Sequence, residues 1–340
     1  MESVRRFDVT VAGELNLDLI LYGLPEELTP EREMLADRLT LTLGSSSAIF
    51  AHNLAVLGGR VGFISRIGTD PLGEISLERL AAGGVDVSRV RKFSGPTSTG
   101  LTVILAHAGH RNILTYPGTM FEMRFEDLDL DYLASARHFH LSSFFLHRAL
   151  LPRIVELLTI LRKAGLSISL DINDDPADHW DSGFWDVLPL VDVFLPNARE
   201  ACKVTGAADL EAAVHKLAET VPVVAVKLGA DGALALKGGH RFTSPPVQAE
   251  FVDPVGAGDS FDAGFIYQYV RGADLQTCLD YGSLAGAFST TRSGGTEAFR
   301  DHEHFRLFFD SRWPRARSDG TDAHGTDTDE KHQTGAKVQK

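Results

Sequence analysis

The spacing of apolar positions changes repeatedly along the chain, and each change marks an element. Residues 7–13, Phe-Asp-Val-Thr-Val-Ala-Gly, are mostly apolar and close on a glycine, as a strand entering a turn does. Residues 24–43 are largely polar until Leu39, Leu41 and Leu43 alternate, and 44–47 form a loop of small residues. Residues 48–57 have helical spacing and stop at Gly58-Gly59. A short strand follows over 61–67, then an amphipathic helix over 72–82 that stops at Gly83-Gly84. Two β-rich runs, 99–106 and 111–116, flank His107-Ala108-Gly109-His110, which reads as a hairpin turn.

After residue 135 the rhythm becomes strand, then helix. Strands are expected at 138–141, 167–171, 191–195 and 223–228, and helices at 150–164 and 184–188. This alternation implies βαβ units, hence an α/β fold of three layers around a mostly parallel central sheet. Such sheets bind ligands at the carboxyl ends of their strands, where Asn16, Asp171, Asn197 and Gly229 fall. The β-rich pieces near the N-terminus do not fit the rhythm and are expected to form a small second sheet, a lid over the strand ends. From residue 311 onward the chain turns Ser/Asp/Gly/Thr/His-rich, and a disordered C-terminal tail over 311–340 is expected.

Composition narrows the class. The formal charge of −13 over 340 residues carries no basic surplus, so a nucleic-acid partner is not expected. Cys202 and Cys278 form no C-x-x-C pair, which gives no support to zinc or thiol redox chemistry. Asp8 and Glu14 interrupt the N-terminal apolar stretch, unlike a signal peptide, and no uncharged run reaches the ~18 residues of a membrane helix. No membrane partner is expected, and a cytoplasmic location follows by default.

The segment with the most chemistry is Asp253-Pro254-Val255-Gly256-Ala257-Gly258-Asp259-Ser260-Phe261-Asp262-Ala263-Gly264-Phe265. Two glycines before a helical run leave the backbone amides of residues 256–259 at a helix N-terminus, a natural anion cradle. An acid in a first turn is ordinarily a favourable dipole partner. Inside a cradle it would repel a phosphate unless it has a task, and taking a proton from an attacking hydroxyl is such a task. The third glycine of a dinucleotide fingerprint is missing, which disfavours an oxidoreductase, and no G-x-x-x-x-G-K-[ST] run exists. Asp171-Ile172-Asn173-Asp174-Asp175 is an acidic strand end, read as a solvated loop with one structural Asp rather than a metal site.

Gly256-Ala257-Gly258-Asp259 in this setting resembles the C-terminal signature of the ribokinase-like (PfkB) carbohydrate kinases, and the resemblance extends over about residues 7–310. Asn197-Ala198-Arg199-Glu200 resembles the family's N-x-x-E motif. Lys227-Leu228-Gly229-Ala230-Asp231-Gly232 resembles its nucleotide loop, and Gly13-Glu14-Leu15-Asn16-Leu17-Asp18 its substrate segment. The order and spacing of the four carry the likeness; Asn-x-x-Glu alone would mean little.

The resemblance implies a ribokinase-like kinase domain over 1–310, with the lid from about 14–43 and 97–118. It implies phosphoryl transfer from ATP to a hydroxymethyl group of a sugar-like small molecule, with Asp259 as base beside Gly256, Ala257 and Gly258. Asn197 and Glu200 would act through Mg2+, Glu200 partly through water. Lys227, Gly229, Asp231, Gly232 and Ser283 would meet the nucleotide. Asn16, Asp18, Gly44, Ser45, Ser46 and Ile49 would meet the acceptor, joined by Arg111 from the lid and Ser142 from a strand end. A monovalent cation such as K+ is implied at Asp253 and Val255, with carbonyls around Ser289, Arg292 and Gly294, and a homodimer through the lid is a further expectation. Ser45 and Ile49 stand where the family commonly has Gly and Asn, and since isoleucine cannot hydrogen-bond a hydroxyl, an acceptor other than ribose is expected. A nucleoside kinase of the same fold and a non-catalytic sugar or nucleotide sensor remain as alternatives.

Overall fold

The computed structural model describes residues 5–107 and 110–313. Its strands are β1 (Phe7–Ala12), β2 (Leu17–Tyr22), β3 (Arg38–Leu43), β4 (Val61–Gly68), β5 (Asp86–Phe93), β6 (Leu101–Ala106), β7 (Arg111–Tyr116), β8 (Ala136–Leu141), β9 (Ser167–Leu170), β10 (Val193–Phe194), β11 (Val223–Lys227), β12 (Ala233–Lys237) and β13 (His240–Ser244). Its helices are α1 (Ser46–Val56), α2 (Pro71–Ala82), α3 (Leu130–Ala134), α4 (Ile154–Lys163), α5 (Phe184–Val187), α6 (Ala198–Thr205), α7 (Leu210–Ala218), α8 (Ala257–Tyr269), α9 (Leu275–Ser289), α10 (Glu297–Arg300) and α11 (His302–Arg312).

Nine strands form one sheet in the order β13-β12-β11-β10-β9-β8-β1-β4-β5. Pairing is parallel from β5 across to β11, and the two edge pairings, β11 with β12 and β12 with β13, are antiparallel, so only β12 runs against the rest. Both faces are covered, as a parallel sheet requires. One face packs Phe139, Leu157, Leu161, Phe184 and Leu217 into a core, and the other packs Phe50, Phe63, Phe265, Phe288 and Phe299. The period of two explains the split along β8: Phe139 faces one core, while His138 and His140 face the other. On that second side His140 stacks on Phe50 at 3.7 Å and His138 meets Tyr269 edge-on at 5.8 Å.

Four strands form the separate small sheet, in the order β3-β2-β6-β7. It rests on the loop before α8 through Ile20, Ile104 and Val255, which form their own buried cluster. Tyr22 donates its hydroxyl to Asp253, and Arg38 donates to Ser293 at 2.7 Å, so two lid strands are tied to the same corner. Of the hairpin turn read at 107–110, residues 108 and 109 lie outside the described residues. The expected tail boundary needs correction. Helix α11 runs through Arg312, and Trp313 packs edge-on against Tyr281 at 5.0 Å, continuing the apolar face that Phe305, Phe308 and Phe309 begin. The rest of the expected tail lies outside the described residues.

Candidate active site

Helix α8 begins at a position only glycine fits. Gly256 has φ 74°, and a Cβ there would lie 2.4 Å from Gly295 Cα. Its carbonyl accepts from the Ser260 amide at 2.9 Å and the Ser260 hydroxyl at 2.7 Å. The Ala257 amide turns back to the Pro254 carbonyl at 3.2 Å, so it is not one of the open donors expected of the cradle. Helix geometry leaves the amides of Gly258 and Asp259 without intrahelical acceptors. Asp259 itself is 9% exposed. Burial and the neighbouring Asp171 push its pKa to about 7; Lys227 and a hydrogen bond from Ser46 work against that rise, and Glu14 adds to it.

Behind the base lies a buried charge cluster. Lys227 Nζ sits 3.1 Å from Asp171 and 3.0 Å from Asp262, both carboxylates 1% exposed at the side chain. Burial by itself would lower the Lys227 pKa, but Asp171, Asp262, Glu200 and Asp259 together hold it above its ordinary value. The ammonium is therefore engaged between two acids beside the cradle. Asp262 is pushed up by burial, with Lys227 opposing and Asp171 reinforcing. No sequence motif singled it out, although it lies three residues after Asp259 on one helix.

Asn197 and Glu200 close a capping box at the start of α6. The Asn197 side chain accepts from the Glu200 amide at 2.9 Å, and Glu200 accepts from the Asn197 amide at 2.8 Å. Burial and Asp171 raise Glu200 to about 7. Four buried acids, Asp171, Glu200, Asp259 and Asp262, thus face one ammonium, and Asp171 Oδ1 has no hydrogen-bond partner. Among the described residues no three His, Cys, Asp or Glu side chains are grouped to ligate a metal directly. The surplus of negative charge and the orphaned Asp171 oxygen fit a divalent cation that keeps its waters. The acids of the 171–175 loop separate by role: Asp171 joins this cluster, Asp174 pairs with Arg199 at 2.7 Å, and Asp175 caps the amides of Ala177, His179 and Trp180.

Asp18 on β2 feels the charge of the base, with Thr102 and Arg111 of the small sheet near it and Asn16 just before β2 bonded to Thr102. Asn16 donates to the Leu17 carbonyl at 3.1 Å and to Thr102 at 3.4 Å, while its Oδ1 is buried without a partner. Burial, then Asp259 and Asp253, raise Asp18 to about 7, with Thr102 and Arg111 opposing. Gly44 is needed beside it, because a Cβ would lie 2.1 Å from Asp18 Oδ1.

Three expected substrate contacts point elsewhere. Ile49 is 3% exposed and packs on Gly256 and Gly295, so it shapes the cradle from below and offers no ground for excluding ribose. Ser45 caps α1 by accepting from the Ala48 amide at 3.3 Å and donates to the Glu14 carbonyl; its φ of 71° shows why glycine suits that position. Ser142 is 1% exposed and its hydroxyl meets His140 at 2.8 Å. That bond ends a buried row, Ser167–His138–Ser169–His140–Ser142, whose links are 2.7–2.8 Å. Both imidazoles are neutral because burial lowers them, His138 to about 3.

At the nucleotide positions, Gly229 and Gly232 have φ 62° and 88° and turn β11 into β12. A Cβ on Gly232 would strike the Ser244 carbonyl at 2.1 Å. Asp231 is exposed between them, and Ser283 on α9 has a buried hydroxyl with no partner. The Asp253 carboxylate accepts from the Val255 amide at 2.9 Å and the Gly294 amide at 3.1 Å, fastening two loops of the implied cation site. Ser289 donates to the Gly295 carbonyl at 3.4 Å, and the Arg292 side chain turns outward to Asp301 at 3.2 Å.

The family model for the pfkB family of carbohydrate kinases matches residues 6–301. An uncharacterized sugar kinase of Archaeoglobus fulgidus is 30% identical over 250 residues, covering 72% of this chain and 96% of its own. The 5-dehydro-2-deoxygluconokinase of Clostridium perfringens is 25% identical, covering 83% of this chain and 87% of its own. A ribokinase II-type protein of E. coli, solved in complex with ATP and Mg2+, is 25% identical with a TM-score of 0.77, covering 90% of this chain and 99% of its own. Among the described residues no helix is long and apolar enough to cross a membrane.

Proposed function

The chain belongs to the pfkB family of carbohydrate kinases, and on that premise we propose that it transfers the γ-phosphoryl group of ATP to a hydroxymethyl group of a sugar or sugar derivative, with Asp259 as general base. One observation carries the assignment: Asp259 is buried in the first turn of α8, beside the open helix amides and within charge range of Asp18, with a pKa raised to about 7. A base poised near the working pH is what proton abstraction from an alcohol needs.

In this reading the acceptor hydroxyl lies between Asp259 and the γ-phosphoryl group. The hydroxyl proton passes to Asp259 as the acceptor oxygen bonds to phosphorus. The bond from phosphorus to the β-phosphate bridging oxygen breaks, and ADP leaves with its electron pair. The Gly258 and Asp259 amides hold charge developing on the transferring oxygens. Mg2+, held through water by Glu200 and Asp171, would neutralise the triphosphate. A monovalent cation such as K+ would add positive charge where the 253–255 and 289–294 loops meet. The fully exposed edge strand β7, with Ile113, Leu114 and Tyr116 each more than half exposed, is where a second copy would join through the lid.

The test is ADP formation with ribose, fructose, 2-keto-3-deoxygluconate, fructose phosphates, adenosine and cytidine offered singly. Acceptor-dependent ADP release from a sugar or sugar derivative is expected. A nucleoside as best acceptor would replace the acceptor class, and ADP release with none of them would count against catalysis on such compounds.

A further inference from the structure

Beside the C-terminal half of α1 lies a cavity of about 230 Å³, lined by His52, Val56, Ala82, Gly83, Arg300 and His302. None of these residues belongs to the four motifs. We propose that the cavity binds a small hydroxy acid anion, whose hydroxyl donates to His52 Nε2 and whose anionic group meets Arg300 and His302. Pockets for drug-sized ligands run to about 300–1,000 Å³, so the occupant is small.

The hydrogen bonds around Asn53 fix the tautomer of His52. Asn53 is fully buried, and its Nδ2 lies 2.9 Å from the Gly295 carbonyl, which only accepts. The same nitrogen lies 2.9 Å from Ser260 Oγ, whose own proton goes to the Gly256 carbonyl at 2.7 Å. Both neighbours need a donor, so the nitrogen end of the amide faces them and Asn53 Oδ1 is left for His52 Nδ1 at 2.8 Å. An amide oxygen only accepts, so Nδ1 carries the imidazole proton. Burial lowers the His52 pKa to about 4 against the Asn53 hydrogen bond; Arg300 and His302 add to the fall and Glu297 opposes it. The ring is neutral, and Nε2 is a bare lone pair.

That lone pair is aimed into the cavity. His52 is 1% exposed, and its Cδ2–Nε2 edge faces Gly83, where a Cβ would lie 2.3 Å from Cδ2 and 2.9 Å from Nε2. Among the described residues the imidazole bonds only through Nδ1. A buried acceptor without a donor is unfavourable, and a ligand hydroxyl answers it.

The rim supplies the charge. Arg300 reaches both Glu297 oxygens at 3.0 Å through Nη1 alone, so its remaining N–H groups are free for a ligand. Glu297 is also met by Arg79 at 3.7 Å, and Asp301, next to His302, pairs with Arg292 at 3.2 Å. Of the charges paired at this rim, three arginines face two acids, which leaves one positive charge for an anion. A guanidinium suits a carboxylate or a phosphate.

The experiment is calorimetric binding of D-glycerate to the full chain, without ATP or acceptor, with the histidine ring nitrogens followed by 15N NMR. Its outcome does not depend on the kinase assignment. Saturable binding is expected, with the His52 Nε2 resonance moving along the same curve. Propionate keeps the carboxylate and lacks the hydroxyls, and it should bind about tenfold more weakly; so should glycerate to Arg300→Gln, each having lost one hydrogen-bonding arm. Glycerol 3-phosphate carries the same two functions on a phosphate, and the tighter of the two ligands names the anion. His52→Phe should abolish the preference for glycerate over propionate. If that variant does not fold, the wild-type His52 resonance and the surface variant Arg300→Gln decide. Binding that leaves the His52 resonance unmoved, equal affinity for propionate, or unchanged affinity in Arg300→Gln would overturn the site. So would no binding of glycerate or glycerol 3-phosphate, the mark of a cavity that holds water alone.

Discussion

The carboxyl edge of the large sheet and the small sheet that covers it meet at Asp259, yet they are built differently. On the large sheet nearly every polar side chain is already held by another: Lys227 by Asp171 and Asp262, Asn197 by Glu200, Ser142 by His140. Beside the small sheet the polar groups are less completely held. Asn16 Oδ1 has no partner, Arg111 is exposed, and all six residues of β7 are exposed. A preorganised edge suits the transferring phosphoryl group, whose chemistry does not vary. The open sheet is the half that can vary with the acceptor.

Four substitutions would break or sharpen this contrast. The largest effect on stability should come from Lys227→Met, which leaves four buried acids without their ammonium. Removing one partner of a buried ion pair costs about 3–5 kcal/mol, and a large fall in melting temperature is expected. A change of only a degree or two would show that the cluster is not held by Lys227.

Glu200→Gln keeps the capping geometry but removes a charge. The apparent Mg2+ requirement, read from velocity against Mg2+ concentration, should rise roughly 10–100-fold. No change in that requirement would remove Glu200 from the cation site.

Asp18→Asn tests the small sheet through pH. The folded pKa of Asp18 is raised from 3.8 to about 7. Its neutral form therefore adds stability that is complete below about pH 4 and is lost as pH rises through about 7. Asparagine does not ionise, so the variant should match the wild type near pH 4–5 and exceed it by a few degrees near pH 8, while its acceptor KM rises. Melting curves at the two pH values decide, and equal shifts at both would contradict the buried acid.

Arg111→Ala should have the smallest effect on stability, within about 0.5 kcal/mol, because the side chain sits on an exposed edge. A rise in acceptor KM with an unchanged melting temperature would mark the small sheet as the specificity half. A large loss of stability would erase the contrast.

Much of this was legible in the sequence where local chemistry decides. Gly256-Ala257-Gly258-Asp259 marked the helix start, and Gly58-Gly59 and Gly83-Gly84 marked the stops of α1 and α2. Strands β5 and β13 went unread because they are polar edge strands, DVSRVRKF and HRFTS, without a clean alternation. Strand β2 overlaps the quoted substrate segment only at Leu17 and Asp18 and was not read as a strand. The misplaced side chains share one cause. Whether Ile49 faces a ligand or Gly295, and whether Ser142 faces a ligand or His140, depends on residues outside the local motif. Glu14 stood inside a quoted motif, but its partners Ser47, Ser143 and His147 lie 33, 129 and 133 residues away, beyond any local pattern.

The central claim, that Asp259 takes the acceptor proton, is met most directly by Asp259→Asn, with kcat and ATP affinity measured on the folded variant. The shape is kept and only proton acceptance is lost, so kcat should fall by ~10²–10⁴-fold or more while ATP binding changes little. A variant keeping over about a tenth of the wild-type kcat would contradict it.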